Sequence, residues 1–245
     1  MSHENQEDYI HSTGSGLSKL KNYLTEFVYG SIDGSVTTFA VVAGAAGAEL
    51  DTHIVLILGF ANLIADGFSM SVGNYLSVKS EVDNYRRHEK VEYWEVDNLP
   101  EKEKEEIREI YKAKGFEGSL LEEVVNVISS DKDRWVDVMM KEELEMVLPA
   151  ESAVKTASVT FLSFVVIGFI PLLTYVINFF GHLEASILFP LSCLFTSLAF
   201  ILIGYLKSYV NDTNKLKSVV ETLLLGGIAA TLSFIVGDVL EKLLS

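Results

Sequence analysis

Two charge-free stretches constrain this chain more than any other feature: residues 157–181 and residues 185–206, 25 and 22 residues long. A helix rises 1.5 Å per residue and about 20 apolar residues cross the hydrocarbon of a bilayer, so each stretch is long enough to span. The whole chain is 49% hydrophobic with a mean hydropathy of +0.30, yet it carries 34 Asp and Glu against 19 Lys and Arg. A single soluble domain fits those figures poorly. A membrane body that carries an acidic soluble module fits both, and the fold class expected is all-α, a polytopic membrane protein.

The acidity is concentrated in residues 79–149, which hold 20 Asp and Glu against 12 Lys and Arg. Much of that excess is expected to solvate a surface, and so negative a chain is a poor partner for nucleic acid. The single cysteine, Cys193, lies in an apolar segment. It offers neither a disulfide framework nor a thiolate metal site, and packing is its expected role. The first 20 residues are polar and lack the apolar core of a signal peptide, so a loose N-terminal tail is expected there.

Five spans are expected, at residues 24–48, 53–78, 151–179, 184–209 and 216–240. Residues 1–20 then form the tail, 21–78 the first two spans, 79–149 an acidic insert and 150–245 the last three spans. Lys19, Lys21, Lys79, Arg86, Arg87, Lys155, Lys207, Lys215 and Lys217 all flank one side of this arrangement, whereas residues 49–52 and 178–185 hold no Lys or Arg. By the positive-inside rule the N-terminus and insert are cytoplasmic and the C-terminus lies on the far side.

No Gly or Pro interrupts residues 74–98, so the second span is expected to run on as one helix to about Val96. Three shorter helices should follow, at residues 101–114, at 119–129 with Ser119 as cap and Glu122 three residues on, and at 133–147. Pro171 inside the third span is tolerable where packing, water or hydroxyls satisfy the freed carbonyl.

Charge inside the spans carries the chemistry. Asp33 is the only charge between Phe27 and Ala48, and Asp66 interrupts the apolar run of residues 61–78. A carboxylate in hydrocarbon is costly and is usually functional. Asn62, Asp66, Met70 and Asn74 recur every four residues and form a slowly drifting stripe on one helix, while Asp33 and Thr37 share a face of the other. Counted from the inner ends of two antiparallel spans, Asp33 and Met70 lie at nearly equal depth and are expected to face each other. Carboxylates with one thioether suit Fe2+ or Mn2+ better than Mg2+ or Ca2+. A carboxylate that gives up its proton to bind metal also supplies proton coupling. Buried carboxylates satisfied by hydroxyls, with Met70 as a gap filler, would give the same pattern; the cost of two intramembrane charges favours function.

In the insert, Glu81, His88, Glu92 and Glu95 share a helix face, Glu103, Glu106 and Glu109 recur every three residues, and Met139, Met140, Glu142 and Glu143 cluster near its end. Three such helices could converge on a multi-ion site, although a solvated acidic face alternating with Lys and Arg gives much the same spacing. The chain has no Glu-x-x-His pair of the ferritin-like kind, no CxxC, no HExxH and no P-loop, which argues against a metal enzyme and against ATP-driven transport.

The segments YGSIDGSVTTFAVVAG, DGFSMSVGNYLSVKSEVDNY and WVDVMMKEEL, in this order around an acidic insert, resemble the vacuolar iron transporter family over nearly the whole chain after Lys21. The resemblance implies a five-helix homodimer in a membrane that exchanges Fe2+, and other divalent metals such as Mn2+, for protons. Metal is then the substrate and protons the coupling ion, with no permanently bound cofactor. By motif position Asp33 resembles the family's path carboxylate and Met70 its pore methionine, while Glu92, Glu95, Glu103, Glu106, Met139, Met140 and Glu143 fall on its metal-binding positions. Where plant-type members carry a Glu in the second span, this chain has Asn62. It has Asp66, one turn on, where they carry a small residue, so Asp66 is the expected substitute. The function expected is Fe2+ export from the cytoplasm, across the cell membrane in a prokaryote or the vacuolar membrane in a eukaryote. A manganese or broad-specificity exporter and a membrane-anchored metal sensor are the competing readings.

Overall fold

The computed structural model describes residues 17–181 and 183–244, with side chains from residue 23 onward; the expected N-terminal tail lies almost wholly outside the described residues. Nine helices are described. They are α1 (Leu17–Gly47), α2 (Thr52–Asn98), α3 (Pro100–Ala113), α4 (Gly118–Ser129), α5 (Lys132–Glu142), α6 (Ala153–Gly168), α7 (Leu173–Phe180), α8 (Ala185–Val210) and α9 (Lys215–Leu244). The described residues include no strand. The chain divides into two compact units, one taking in the chain to Tyr75 and from Ala153, the other Leu76–Ser152.

Among the described residues, four segments are long and apolar enough to cross a membrane: α2, Ala153–Phe180, α8 and α9. The third expected span is α6 and α7 joined by a 3-10 turn, Ile170–Leu172, with Pro171 at the break. A hydroxyl does step in there, but at Pro171's own carbonyl, which accepts from Ser192 Oγ at 2.7 Å.

The first expected span is helical as α1 but is not one of the four. Its position explains its weak hydropathy. Val28, Ser31, Ser35, Thr38, Phe39, Val42 and Ala43 are all buried, because α6, α8 and α9 pack around α1. A helix wrapped by other helices has no need of an oily face, and small residues let the backbones close in. A Cβ on Gly34 would meet the carbonyl of Phe164 on α6, and one on Gly47 would meet that of Phe234 on α9. The outer helix α9 shows the opposite pattern: Leu224, Ile228, Leu232 and Ile235 are exposed, as a lipid-facing surface requires.

The second unit is a small helical module with its own core of Val96, Ile107, Leu121, Val125, Ile128, Trp135, Met139 and Met140. Polar bonds fix its helices at the rim. Arg108 on α3 forks onto Glu122 of α4, at 2.7 Å and 3.0 Å. Tyr93 Oη on α2 donates to Asp133 of α5 at 2.8 Å.

Helix bounds differ from expectation in three places. Helix α1 begins at Leu17, within the residues expected to form the tail. Helix α4 starts at Gly118 with Glu117 as cap residue and no side-chain cap bond. Ser119 is therefore inside the helix, and Glu122 is engaged by Arg108 instead. Helix α5 begins with Asp131 capping the amide of Arg134 at 2.9 Å, but it stops at Glu142, short of Val147, as the backbone turns out of the helix with Glu145 at φ 51°.

Candidate functional site

In the membrane unit one side-chain bond links α1 to α2. Thr37 Oγ1 donates to the carbonyl of Asp33 at 2.9 Å and accepts from Asn62 Nδ2 at 3.4 Å. The helices are antiparallel, so stepping one turn from this bond brings Asp33 level with Asp66, and these two carboxylates are electrostatic neighbours. Asp33 is half-buried, and Asp66 is exposed on the single chain. Met70 lies one further turn along, about 6 Å nearer Tyr75, and packs against the cluster that contains Leu63 and Phe164. The Thr37–Asn62 bond thus favours Asp66 as the nearer neighbour of Asp33.

The polar stripe on α2 also divides between two neighbours. Asn62 serves α1, but Asn74 Nδ2 donates to Thr160 Oγ1 on α6 at 2.8 Å, and Ser71 Oγ donates to the Ala157 carbonyl at 2.8 Å. A four-residue step overshoots a 3.6-residue turn by about 40°, so from Asn62 to Asn74 the stripe rotates by about 120°. That rotation carries it from one helix to the next.

In the insert, the chain reverses at Leu99 and restarts with Pro100 in the first turn of α3, where its missing amide costs nothing. The reversal sets Glu103 against Glu92 and Glu95 at the end of α2. One carboxylate oxygen from each of the three lies within 4.8 Å of the others. Glu92 and Glu103 are 3% and 1% exposed. Both oxygens of Glu103 and Oε2 of Glu92 lack any hydrogen-bond partner. Buried carboxylates without donors are expensive.

The electrostatics follow from that crowding. Burial, then Glu143, Glu95 and Glu106, push Glu92 up to about 7 against the opposing pull of Lys102. Burial, then Glu106, Glu95 and Glu92, push Glu103 up to about 7 as well. Glu143, beyond the end of α5, is raised by burial, Glu106 and Glu95. Five carboxylates, Glu92, Glu95, Glu103, Glu106 and Glu143, thus share one electrostatic neighbourhood. Near neutral pH it holds protons that a cation can replace, and its all-oxygen donor set suits hard and borderline divalent ions.

The remaining expected ligands have different surroundings. Met139 and Met140 are fully buried in the module core beside Ile107 and Trp135. Glu81 is exposed and accepts from Ser77, about 16 Å along α2 from Glu92. His88 is half-buried next to Arg87. Glu109 is exposed, and Glu142 pairs with Lys114.

A family model described as the VIT family matches residues 24–238, which takes in both carboxylate groups and all the membrane helices but the ends. The chain belongs to the VIT family. Among its relatives, a vacuolar iron transporter of Toxoplasma gondii is 34% identical over 226 residues, covering 90% of this chain and 75% of that protein. Vacuolar iron transporter 1 of Eucalyptus grandis is 34% identical over 85% of this chain and 83% of its own length. The Arabidopsis thaliana protein of that name is 34% identical over 88% and 85%. These relatives are named as transporters, not enzymes.

Against this VIT-family background, one residue of the site escaped the sequence reading. Lys102 reaches Glu106 Oε1 at 2.7 Å and Glu103 Oε1 at 4.0 Å. Its four-residue spacing from Glu106 is the signal that could have found it. The alternation of Lys and Glu along α3 instead resembled an ordinary exposed helix, which it is on its outer side, where Lys104 pairs with Glu101.

Proposed function

We propose that this VIT-family chain is a metal transporter that carries Fe2+ or Mn2+ out of the cytoplasm in exchange for protons. Its relatives' names supply iron as the first cargo. In this reading α1 is the fifth span, the insert is cytoplasmic, and the protein works as a homodimer in a cell or vacuolar membrane.

The observation that carries transport, as against mere metal binding, is the pair of neighbouring carboxylates Asp33 and Asp66 on membrane helices. A membrane anchor for a sensor module has no use for two charges there. Asp33 and Asp66 take the ion in the path, Thr37 and Asn62 hold the two helices in register around it, and Met70 adds a softer ligand one turn inward. In the insert, Glu92, Glu95 and Glu103 form the inner ligand set, with Glu106 and Glu143 at its edge. Met139 and Met140 build the core that presents the site and offer sulfur to softer ions.

Proteoliposomes with an imposed pH gradient test this reading. Fe2+ or Mn2+ uptake should be driven by the gradient and fall to background in Asp33→Asn, while the purified variant still binds metal. Asp66→Asn should change the rate or its pH dependence. Binding without any uptake in the unaltered protein would leave only the sensor reading.

A further inference from the structure

Among the described residues, Lys102 is the one base whose charge acts on Glu92, Glu103 and Glu143. Its ammonium is in contact with Glu106 and at 4.0 Å from Glu103, while its side chain stays 61% exposed. The neighbouring bases of α3 point to other partners: Lys104 to Glu101 and Arg108 to Glu105 and Glu122. Two observations separate Lys102 from an ordinary surface ion pair. The carboxylates behind it are buried and lack hydrogen-bond donors. It also sits at the edge of that group on a long flexible stem, anchored by only one close oxygen.

We propose that Lys102 is a tethered counter-ion at the mouth of the carboxylate cluster, occupying it in the metal-free state and displaced when a divalent cation arrives. This rests on the reading of Glu92, Glu95 and Glu103 as a metal site, and it adds how the affinity of that site is set. A lysine ammonium carries one charge and offers only donors, so it lowers the repulsion among the carboxylates without completing an oxygen shell. A divalent ion that takes both oxygens and charge from the cluster repels the ammonium, which swings into water. The site therefore binds its ion less tightly than its five carboxylates would allow. Release becomes easier, because Lys102 can return as the ion leaves.

Mn2+ titration calorimetry on the full-length protein in detergent, at fixed pH and low salt, tests this directly. Lys102→Gln should bind Mn2+ about fivefold more tightly than the unaltered protein, a size set by a close but solvent-screened charge. The gain should shrink as salt is raised. Lys102→Arg should stay near the original affinity, and Lys141→Gln, which breaks a 2.7 Å pair with Asp137 outside the cluster, should leave it unchanged. Equal or weaker binding by Lys102→Gln, where the unaltered protein binds and Glu103→Gln does not, would overturn the role of Lys102 alone. A flat titration of the unaltered protein would overturn the metal-site reading and this inference together.

Discussion

Replacing Glu103 by Gln should stabilise the metal-free insert and at the same time disable its metal site. Glu103 is 1% exposed with both oxygens unpartnered, and its carboxyl rises from the ordinary 4.5 to about 7. At about 1.4 kcal/mol per tenfold change in proton affinity, that rise corresponds to about 3 kcal/mol. The sign is that of an acid whose folded value is raised. The folded state keeps its proton where the unfolded chain has lost it, so stability is fully present below 4.5, falls as pH climbs toward 7, and the full penalty stands above 7. Gln stays neutral throughout, so its advantage at pH 8.5 approaches about 3 kcal/mol, less the cost of burying its amide, and vanishes near pH 4.5.

Both tryptophans of the chain, Trp94 and Trp135, lie in the insert. Selectively excited tryptophan fluorescence during urea or thermal unfolding of the whole protein, with chelator present, therefore follows the insert alone. A variant no more stable than the original at pH 8.5, or one whose gain is as large at pH 5, would refute the account of Glu103 as a buried, strained carboxylate. Added Mn2+ should raise the stability of the unaltered protein and leave Glu103→Gln unmoved.

The same titrations predict that Mn2+ affinity weakens as pH falls through 7, by about tenfold per pH unit for each proton exchanged. Carboxylates at ordinary values would delay that loss until below pH 5. Met139→Ala should destabilise the insert by about 2–5 kcal/mol. Met139→Leu should cost under about 1.5 kcal/mol, so a fall in affinity for softer ions with Leu, read by calorimetry with Co2+ against Mg2+, isolates the sulfur. Gly34→Leu should force α1 from α6, costing about 3 kcal/mol or more and showing as a broadened gel-filtration peak in detergent.

The sequence alone determined the helical class, the long charge-free helices, the acidic module between them and the two carboxylates on membrane helices. These are legible because hydrocarbon tolerates so few alternatives: a run of apolar residues must be helical, and any charge within it stands out. The helix from Thr52 to Asn98 was readable too, since nothing in residues 74–98 can end it. Tertiary structure decided which residues meet. Asp33 has Asp66 as its electrostatic neighbour, and Thr37 meets Asn62 across the same two helices. Asn74 belongs to α6 because a four-residue stripe drifts around its helix. Of the evenly spaced acids on α3, Glu103 is buried, Glu106 is held by Lys102 and Glu109 is exposed, a distinction that periodicity cannot make because it depends on which face the Leu99–Pro100 reversal turns inward. The weak hydropathy of α1 was visible in its Gly, Ala and Ser content. Only the packing gave the reason, for a helix enclosed by others is selected for closeness, not for oil.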